Sequence, residues 1–417
     1  MGKRKQRKEE KESVNKISDL EFMYLAYGKK AFVIPIIIAI ILGVVIWGIV
    51  YNARKDNAPQ ESADNQKEQI NYIWGEIKPG KRNTNNFTTV RSSDGVDVPV
   101  PTGYTASSAS DEKSVNGGFV IYEGTDAVTD SNQWEAQCSR NQYVWIPIAE
   151  VSDMYWRDQT TGKKYGTWYN FDKSATTYVK GANRSYEPQI TRYDKQSTYL
   201  TQYLNGMSRE DFLMEMEIDF DKMLNSVATY GGYYIGRYET GDLSQATPVV
   251  KRMNTDLVKQ TWYTMWKKAR KLSGTSAGVQ MIWGIQWDET LKWLIDTGEK
   301  TYAEIASDST SWGNYKNNSF TYYTNTSKST TSKPSGTGKS IPSGAYEGAN
   351  ANNVFDLAGN VRDWTLESDD SGTGSYKYNR GGKYDDYGDD NLVAYRDSSF
   401  PYLGKSYIGL RCSLFIK

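Results

Sequence analysis

The chain has 417 residues, with 50 Lys and Arg against 50 Asp and Glu, two cysteines and no histidine. This length allows one large domain or two ordinary ones. Two cysteines exclude a disulfide-dense scaffold. The lack of histidine excludes His-based nucleophile triads and His-containing zinc sites. Residues 1–55 carry 11 basic and 5 acidic side chains, so the remainder is net acidic, which argues against nucleic acid as a partner.

An apolar segment near the N-terminus predicts a membrane anchor. Residues 31–51 read AFVIPIIIAIILGVVIWGIVY, 21 residues without a charge, and at ~1.5 Å per residue they are long enough to cross a hydrocarbon core of ~30 Å. Because residues 1–30 are basic, we predict that they form a cytoplasmic tail and that the C-terminal part is extracellular. The sequence thus predicts a single-pass signal anchor in the cell membrane, most simply of a bacterium. A cleaved signal peptide is the alternative, but the run is long for one and no small-x-small site follows it.

Beyond the anchor, residues 52–116 are predicted to form a stalk or linker with leading strands, and 117–417 to form one domain. Runs of aromatic and β-branched residues predict strands in 118–124, 141–151 and 231–242. Helical spacing of apolar residues predicts helices in 208–227, where Ser208 opens a capping box, and in 261–272 and 287–296. Residues 152–206 show no clear period, and 305–350 are polar enough to predict a long surface loop. The sequence predicts an α+β domain with high loop content.

Several motifs in a fixed order carry a family resemblance. They are GGYYIGRYETGD (231–242), TWYTMWKKARKL (261–272), NVFDLAGNVRDWT (353–365), RGG (380–382) and YIGLRC (407–412). In this order they resemble the formylglycine-generating enzyme family, the sulfatase-modifying factors, over roughly residues 118–417. The resemblance implies a variant of the C-type lectin fold. Gly381 and Gly382 are expected to permit a close backbone approach or a positive φ, and Arg411 to order carbonyls or a carboxylate rather than touch a ligand.

The resemblance also implies a calcium site. Asp356, Gly359, Val361 and Asp363 match family positions that hold this ion, two through side chains and two through carbonyls. Hard oxygen ligands around a glycine turn suit Ca²⁺. The alternative is that the two acidic residues only cap a turn and a strand.

The catalytic positions of the family are altered in this chain. Catalysis in the family uses two cysteines five residues apart, just after the Gly-Gly pair, to hold copper; the aligned residues here are Asp386 and Asn391. Related iron enzymes need histidines. We therefore expect neither copper nor iron and predict that the chain is not an enzyme, although an enzyme acting on surface substrates through other chemistry, or a purely structural envelope protein, stays open. Cys138 and Cys412 are either one disulfide or two separate thiols.

The segment between the two terminal motifs predicts a binding surface. Residues 383–407 contain five Tyr and five Asp but no His, Glu, Gln, Met or Trp. Tyrosine gives rigid amphipathic area, and small polar residues give adaptable hydrogen bonds. We predict a membrane-anchored recognition or adhesion protein whose partner is an extracellular protein or glycan. The predicted ligand-binding residues are Tyr384, Asp385, Asp386, Tyr387, Asp389, Asp390, Tyr395, Asp397, Phe400, Tyr402 and Tyr407.

The missing residue types suggest a further hypothesis. Apart from Lys383 and Lys405, residues 383–407 contain residue types that asparagine codons with randomised adenines encode. This composition is similar to that of the variable proteins of diversity-generating retroelements, which carry such a segment at the C-terminus of the same fold. A genomic template repeat that differs only at adenines is the expected signature of such a hypervariable receptor.

Overall fold

The computed structural model describes residues 76–181, 193–369 and 376–417. The strands are β1 (Phe87–Arg91), β2 (Asp97–Pro101), β3 (Tyr104–Ala106), β4 (Val120–Glu123), β5 (Gln142–Pro147), β6 (Tyr155–Arg157), β7 (Lys164–Gly166), β8 (Tyr169–Asn170), β9 (Val179–Lys180), β10 (Gly232–Gly236), β11 (Ala277–Met281), β12 (Phe320–Tyr323), β13 (Thr330–Lys333), β14 (Asn350–Ala351), β15 (Val354–Phe355), β16 (Arg362–Asp369), β17 (Tyr376–Arg380), β18 (Arg396–Ser399), β19 (Ile408–Leu410) and β20 (Cys412–Ile416). The helices are α1 (Gln133–Ser139), α2 (Ser197–Leu204), α3 (Arg209–Tyr230), α4 (Trp262–Arg270), α5 (Gly284–Asp296) and α6 (Tyr302–Ala306).

Two sheets organise the fold. The larger has six antiparallel strands in the order β11-β20-β10-β5-β4-β3, so the C-terminal strand lies between strands from the middle of the chain. The smaller has the order β18-β17-β16-β19, in which β16 and β19 are parallel and the other pairs are antiparallel. Helices and strands mix in this way throughout the described residues, as the α+β prediction required.

Two of the predicted helices begin directly after a hydroxyl residue that caps them. The Ser208 hydroxyl accepts a hydrogen bond from the backbone N–H of Asp211, and Thr261 caps α4 in the same way through Thr264. Helix α5 begins three residues before the predicted start, at Gly284. A hydroxyl three residues before its backbone partner is a local signal, and the starts of α3 and α4 follow from it.

The weakly patterned regions contain more regular structure than the sequence indicated. Within 152–206, the described residues form two small hairpins and helix α2, and 305–350 contain the β12-β13 hairpin instead of only a loop. Strand β3 pairs with β4 in the large sheet. The leading strands therefore belong to the same core as the rest of the domain, and the boundary predicted at residue 117 lies inside it.

The predicted anchor lies outside the described residues, as do the cytoplasmic tail and the first part of the predicted stalk. Within the described ranges, no helix combines the length and apolar character that crossing a bilayer requires.

Candidate functional site

The predicted surface begins at a tight glycine turn. Gly381 and Gly382 have φ values of 97° and 72°, a region that side-chain-bearing residues rarely adopt. A Cβ on Gly381 would lie 2.7 Å from the carbonyl oxygen of Leu357, and one on Gly382 would lie 2.5 Å from that of Asn391. Both reasons predicted for these glycines, positive φ and close backbone approach, are confirmed.

Arg362, the first residue of β16, organises the base of the surface. Its Nη2 donates to Asp386 Oδ2 at 2.8 Å and to Asn391 Oδ1 at 3.0 Å, and its Nη1 forms an ion pair with Asp397. Lys383 is a second cation beside Asp386, at 2.8 Å. Asp386 and Asn391, the positions that the family resemblance assigns to catalytic cysteines, thus lie close together. Both accept hydrogen bonds from the guanidinium of Arg362, whose side chain is only 8% exposed.

Two further arginines fix the backbone of the segment. Arg380 is fully buried, donates to Asp288 at 2.8 Å, and also donates to the carbonyls of Ala394 and Tyr395. Arg396 forms ion pairs with the same aspartate and with Glu367. Because buried arginines with several partners hold their geometry tightly, the loop rests on a rigid base.

Above this base, several of the predicted contacts point to solvent. Tyr387 is 48% exposed and Tyr395 43% exposed; they are two of the four large apolar or aromatic side chains that stand exposed in the described part of the chain. Asp385, Asp389 and Asp390 are exposed as well. The exposed part of the segment therefore offers tyrosine rings and carboxylates to solvent.

The remaining aromatic residues of the predicted set are packed more closely. Phe400 and Tyr402 are half-buried and contact Tyr193, with ring centroids 5.1 and 4.9 Å apart, and Tyr402 stacks on Tyr199 at 4.7 Å. Together with Tyr376, which lies 4.6 Å from Phe400, these rings form an aromatic cluster beside the surface. It leaves the faces of Phe400 and Tyr402 partly covered.

Tyr384 and Tyr407, the last two predicted contacts, are half-buried at the edge of the segment. The backbone N–H of Tyr384 donates to the carbonyl of Asn360, and Lys383 Nζ lies 5.2 Å from the ring centroid of Tyr407. Tyr384 therefore ties the segment to the scaffold, and the contact between Lys383 and Tyr407 joins the two ends of the segment.

The predicted calcium residues lie together in the core. Asp356 Oδ2 accepts hydrogen bonds from Ser343 and Gly344, and Asp363 Oδ2 accepts one from Arg411 at 3.0 Å. The second oxygen of each carboxylate is buried without a hydrogen-bond partner among the described residues. Burial raises the pKa of both carboxyls. Two orphaned buried oxygens around the Gly359 turn fit a hard cation.

A third carboxylate, Glu239, lies in the same cluster. It accepts from the backbone N–H of Val361 and from Asn360, and burial together with Asp356 and Asp363 raises its pKa well above the usual value. Within the described ranges, no group of three or more Cys, Asp or Glu side chains has the arrangement of a metal site. An ion here would accordingly need backbone carbonyls, as the resemblance implies.

Arg411 has the structural role that its motif predicted. Its side chain is fully buried and, besides Asp363, donates to the carbonyls of Gly236, Phe355 and Asp356 at 2.9 to 3.1 Å. It joins the large sheet to the turn that precedes β16.

The two cysteines are separate free thiols. Burial raises the pKa of the Cys412 thiol to about 12 and also raises that of Cys138. A thiol that resists deprotonation is a poor nucleophile and a poor metal ligand at neutral pH. Burial therefore disfavours the thiolate form of both cysteines.

Sequence reasoning missed Arg362, Glu239 and the tyrosines of the aromatic cluster. Arg362 stands inside the family-like motif, and a cation at a buried strand position was the available signal. Tyr193 and Tyr199 lie in a region without periodicity, so their contact with Phe400 and Tyr402 had no sequence signal.

A comparison with known families identifies the domain. The sequence profile of the family described as "Sulfatase-modifying factor enzyme 1-like domain" matches residues 264–414. This range contains most of α4, all of α5, the turn with the predicted calcium residues, and the predicted surface. Residues 264–414 thus match the model of this family, and the resemblance predicted from the motifs is confirmed for this stretch. No curated protein sequence matches the chain.

Two solved structures resemble parts of the chain. "Treponema denticola variable protein 1" aligns over 44% of this chain and 84% of its own length, at 16% identity and a TM-score of 0.29. The structure titled "Crystal Structure of CarF" aligns over 45% of this chain and 87% of its own, at 16% identity and a TM-score of 0.28. Since both TM-scores are below 0.5, neither likeness bears on the fold or function of this chain.

Proposed function

We propose that this chain is a non-catalytic binding protein whose ligand contacts the exposed face of residues 383–407. The domain that carries this face matches the sulfatase-modifying factor enzyme 1-like family over residues 264–414, and we take it to be a variant of the C-type lectin fold. Residues 31–51 anchor it in the cell membrane with the domain outside, and its ligand is an extracellular protein or glycan.

One observation carries the proposal. Where the family places two metal-binding thiolates, Asp386 and Asn391 share the guanidinium of Arg362. A fixed cation would repel a copper ion, and a carboxylate and a carboxamide are hard ligands that do not suit copper(I). The same contacts support the loop from which Tyr387 projects. The scaffold thus favours presenting side chains over activating oxygen.

Replacing Tyr387 and Tyr395 together by alanine tests the surface. We expect ligand capture by the full-length chain on a glycan and extracellular-protein array to fall by at least about tenfold, because exposed tyrosines at a binding surface contribute on the order of 1–2 kcal/mol each. The free energy of unfolding should change by less than about 1 kcal/mol, since both side chains are nearly half exposed.

The matched control replaces Val96 and Val179, which are 40% and 59% exposed and lie outside the surface. These variants should capture the ligand as the wild type does. If the double tyrosine variant also binds normally while the array detects a ligand, the binding face is elsewhere.

We also propose that Asp356, Gly359, Val361 and Asp363 hold a structural calcium ion. The orphaned oxygens of Asp356 and Asp363 support it. Calcium added after chelation should then stabilise the domain by about 2.7 kcal/mol at a hundredfold excess over Kd. Asp356→Asn should lose this response in a thermal melt, whereas Asp385→Asn, at an exposed position, should keep it. If calcium leaves the melting temperature of the wild type unchanged, these residues do not hold a structural calcium ion.

A hypervariable receptor is the second candidate. Tyr387, Asp389 and Asp390 are exposed, whereas the backbone of the segment is held by buried arginines, so the exposed side chains can change without loss of the fold. A template repeat that differs at adenines, next to a reverse transcriptase gene, is the expected finding. A locus without both would exclude this candidate and leave the binding surface in place.

A further inference from the structure

A cavity lies away from the predicted surface. It has a volume of about 650 Å³ and lies between α3, the end of α4 and the strands β11 and β20, with residues 80–86 along one side. Small-molecule sites typically have volumes of ~300–1,000 Å³. None of its described lining residues belongs to 383–407, so it forms a separate candidate site.

Gln280 lines this cavity, and its carboxamide has no hydrogen-bond partner among the described residues. Gln280 is only 2% exposed, and neither its Oε1 nor its Nε2 has a hydrogen-bond partner in the described part of the chain. The hydroxyl of Ser413, its register partner on β20, is likewise buried and unpartnered among those residues. Burying a donor and an acceptor unpaired is unfavourable, so this position is suited to a molecule that satisfies both.

The charges at the cavity favour an anion. Its lining contains the cations Lys81, Lys222, Arg270 and Lys417, and Asp219 is the acidic residue among its described lining residues. Burial and the nearby charge of Lys222 lower the pKa of Lys417. Arg270 forms ion pairs with Glu215, at 2.6 Å, and with Asp219, at 3.6 Å, so the lysines carry most of the uncompensated positive charge. A negative group on a ligand would relieve the repulsion between the lysines.

The cavity also has apolar walls. Val279 and Ile416 line it from the two strands, and the rings of Tyr230 and Phe415 line it as well. A flat ring with a polar edge would therefore contact apolar surface on its faces and Gln280 at its edge.

We propose that this cavity binds a small organic anion that carries a hydrogen-bond donor and an acceptor side by side, as in a lactam or a pyrimidine base. A carboxamide presents an acceptor and a donor in one plane and pairs with both groups at once. The lysines face the negative group. This proposal does not depend on the function of residues 383–407.

Isothermal titration of the full-length chain in a mild detergent tests the proposal with two probes. Uridine monophosphate represents a nucleotide source, and pyroglutamate represents a lactam acid. We expect saturable binding of at least one probe. Analogues that lack one feature should bind about tenfold more weakly or worse. For uridine monophosphate these are uridine, which lacks the phosphate, and 3-methyluridine monophosphate, which lacks the N–H donor of the ring. For pyroglutamate the analogue is cyclopentanecarboxylate, which lacks the lactam group. If only one of the two probes binds, it shows whether the ligand is a nucleotide or a lactam acid.

Variants assign the binding to this cavity. Gln280→Leu should weaken binding about tenfold or more and leave the melting temperature unchanged or higher, because it removes an unpaired buried amide. Lys222→Gln, at an exposed position, should weaken binding and reduce its salt dependence even if Gln280→Leu does not fold. Gln245→Leu, outside the cavity, should bind normally. The proposal is overturned if neither probe binds at about 10 mM, or if Lys222→Gln and every folded Gln280 variant bind as the wild type does.

Discussion

Replacing Arg411 by methionine should lower the free energy of unfolding by about 3–5 kcal/mol, the largest effect that we expect from a single substitution. The guanidinium is fully buried and is the hydrogen-bond donor to Asp363 and to three backbone carbonyls. Methionine fills most of the volume but leaves a buried carboxylate without its cation. Urea unfolding, in the presence of a chelator so that calcium does not contribute, measures the change.

The control is another arginine in an ion pair, at the surface. Arg91 pairs with Asp97 at 2.8 Å, and both side chains are at least 60% exposed. Arg91→Met should cost less than about 1 kcal/mol, because water and salt screen exposed pairs. If Arg411→Met costs no more than Arg91→Met, the buried network does not stabilise the domain as described.

Replacing Arg362 by methionine should impair both stability and ligand capture. Asp386 and Asp397 would each lose a cation, and Asn391 would lose its donor, so we expect a loss of about 2–4 kcal/mol. Because the loop would no longer be held at its base, ligand capture on the array should fall even at temperatures where the variant is folded. Array binding and urea unfolding of the same preparation separate the two effects.

Arg362→Lys distinguishes positioning from charge. A lysine retains the positive charge but lacks the planar fork that reaches several partners at once. Compared with Arg362→Met, we expect Arg362→Lys to restore more of the free energy of unfolding than of ligand capture, since the orientation of the loop depends on the planar guanidinium. If Arg362→Met is folded and binds as the wild type does, Arg362 does not position the surface.

The features predicted correctly were those with local signals. Gly381 and Gly382 were assigned from a motif that needs positive φ, and Ser208 from a hydroxyl three residues before its backbone partner. Arg411 was assigned from its place in the last motif. For the two glycines and Ser208 the physical requirement lies at the residue itself or within one turn of the chain. The partners of Arg411 lie 48 to 175 residues away, and its role followed from the motif and not from a local signal.

Features that depend on distant partners were not predicted. Arg362 meets Asp386 and Asn391, which lie 24 and 29 residues away, and nothing in the intervening sequence specifies that contact. The β12-β13 hairpin was interpreted as loop because its composition is polar. Phe320 and Tyr322 nevertheless alternate inward with exposed Thr321, and this period of two was the overlooked signal.

The central claim is that the exposed tip of this domain holds a ligand without changing it. The most direct test is the mass of a captured ligand after prolonged incubation in air with the full-length chain, supplied with copper and iron. The account predicts a ligand of unchanged mass, released intact. A mass change that increases with time and requires the chain would contradict it.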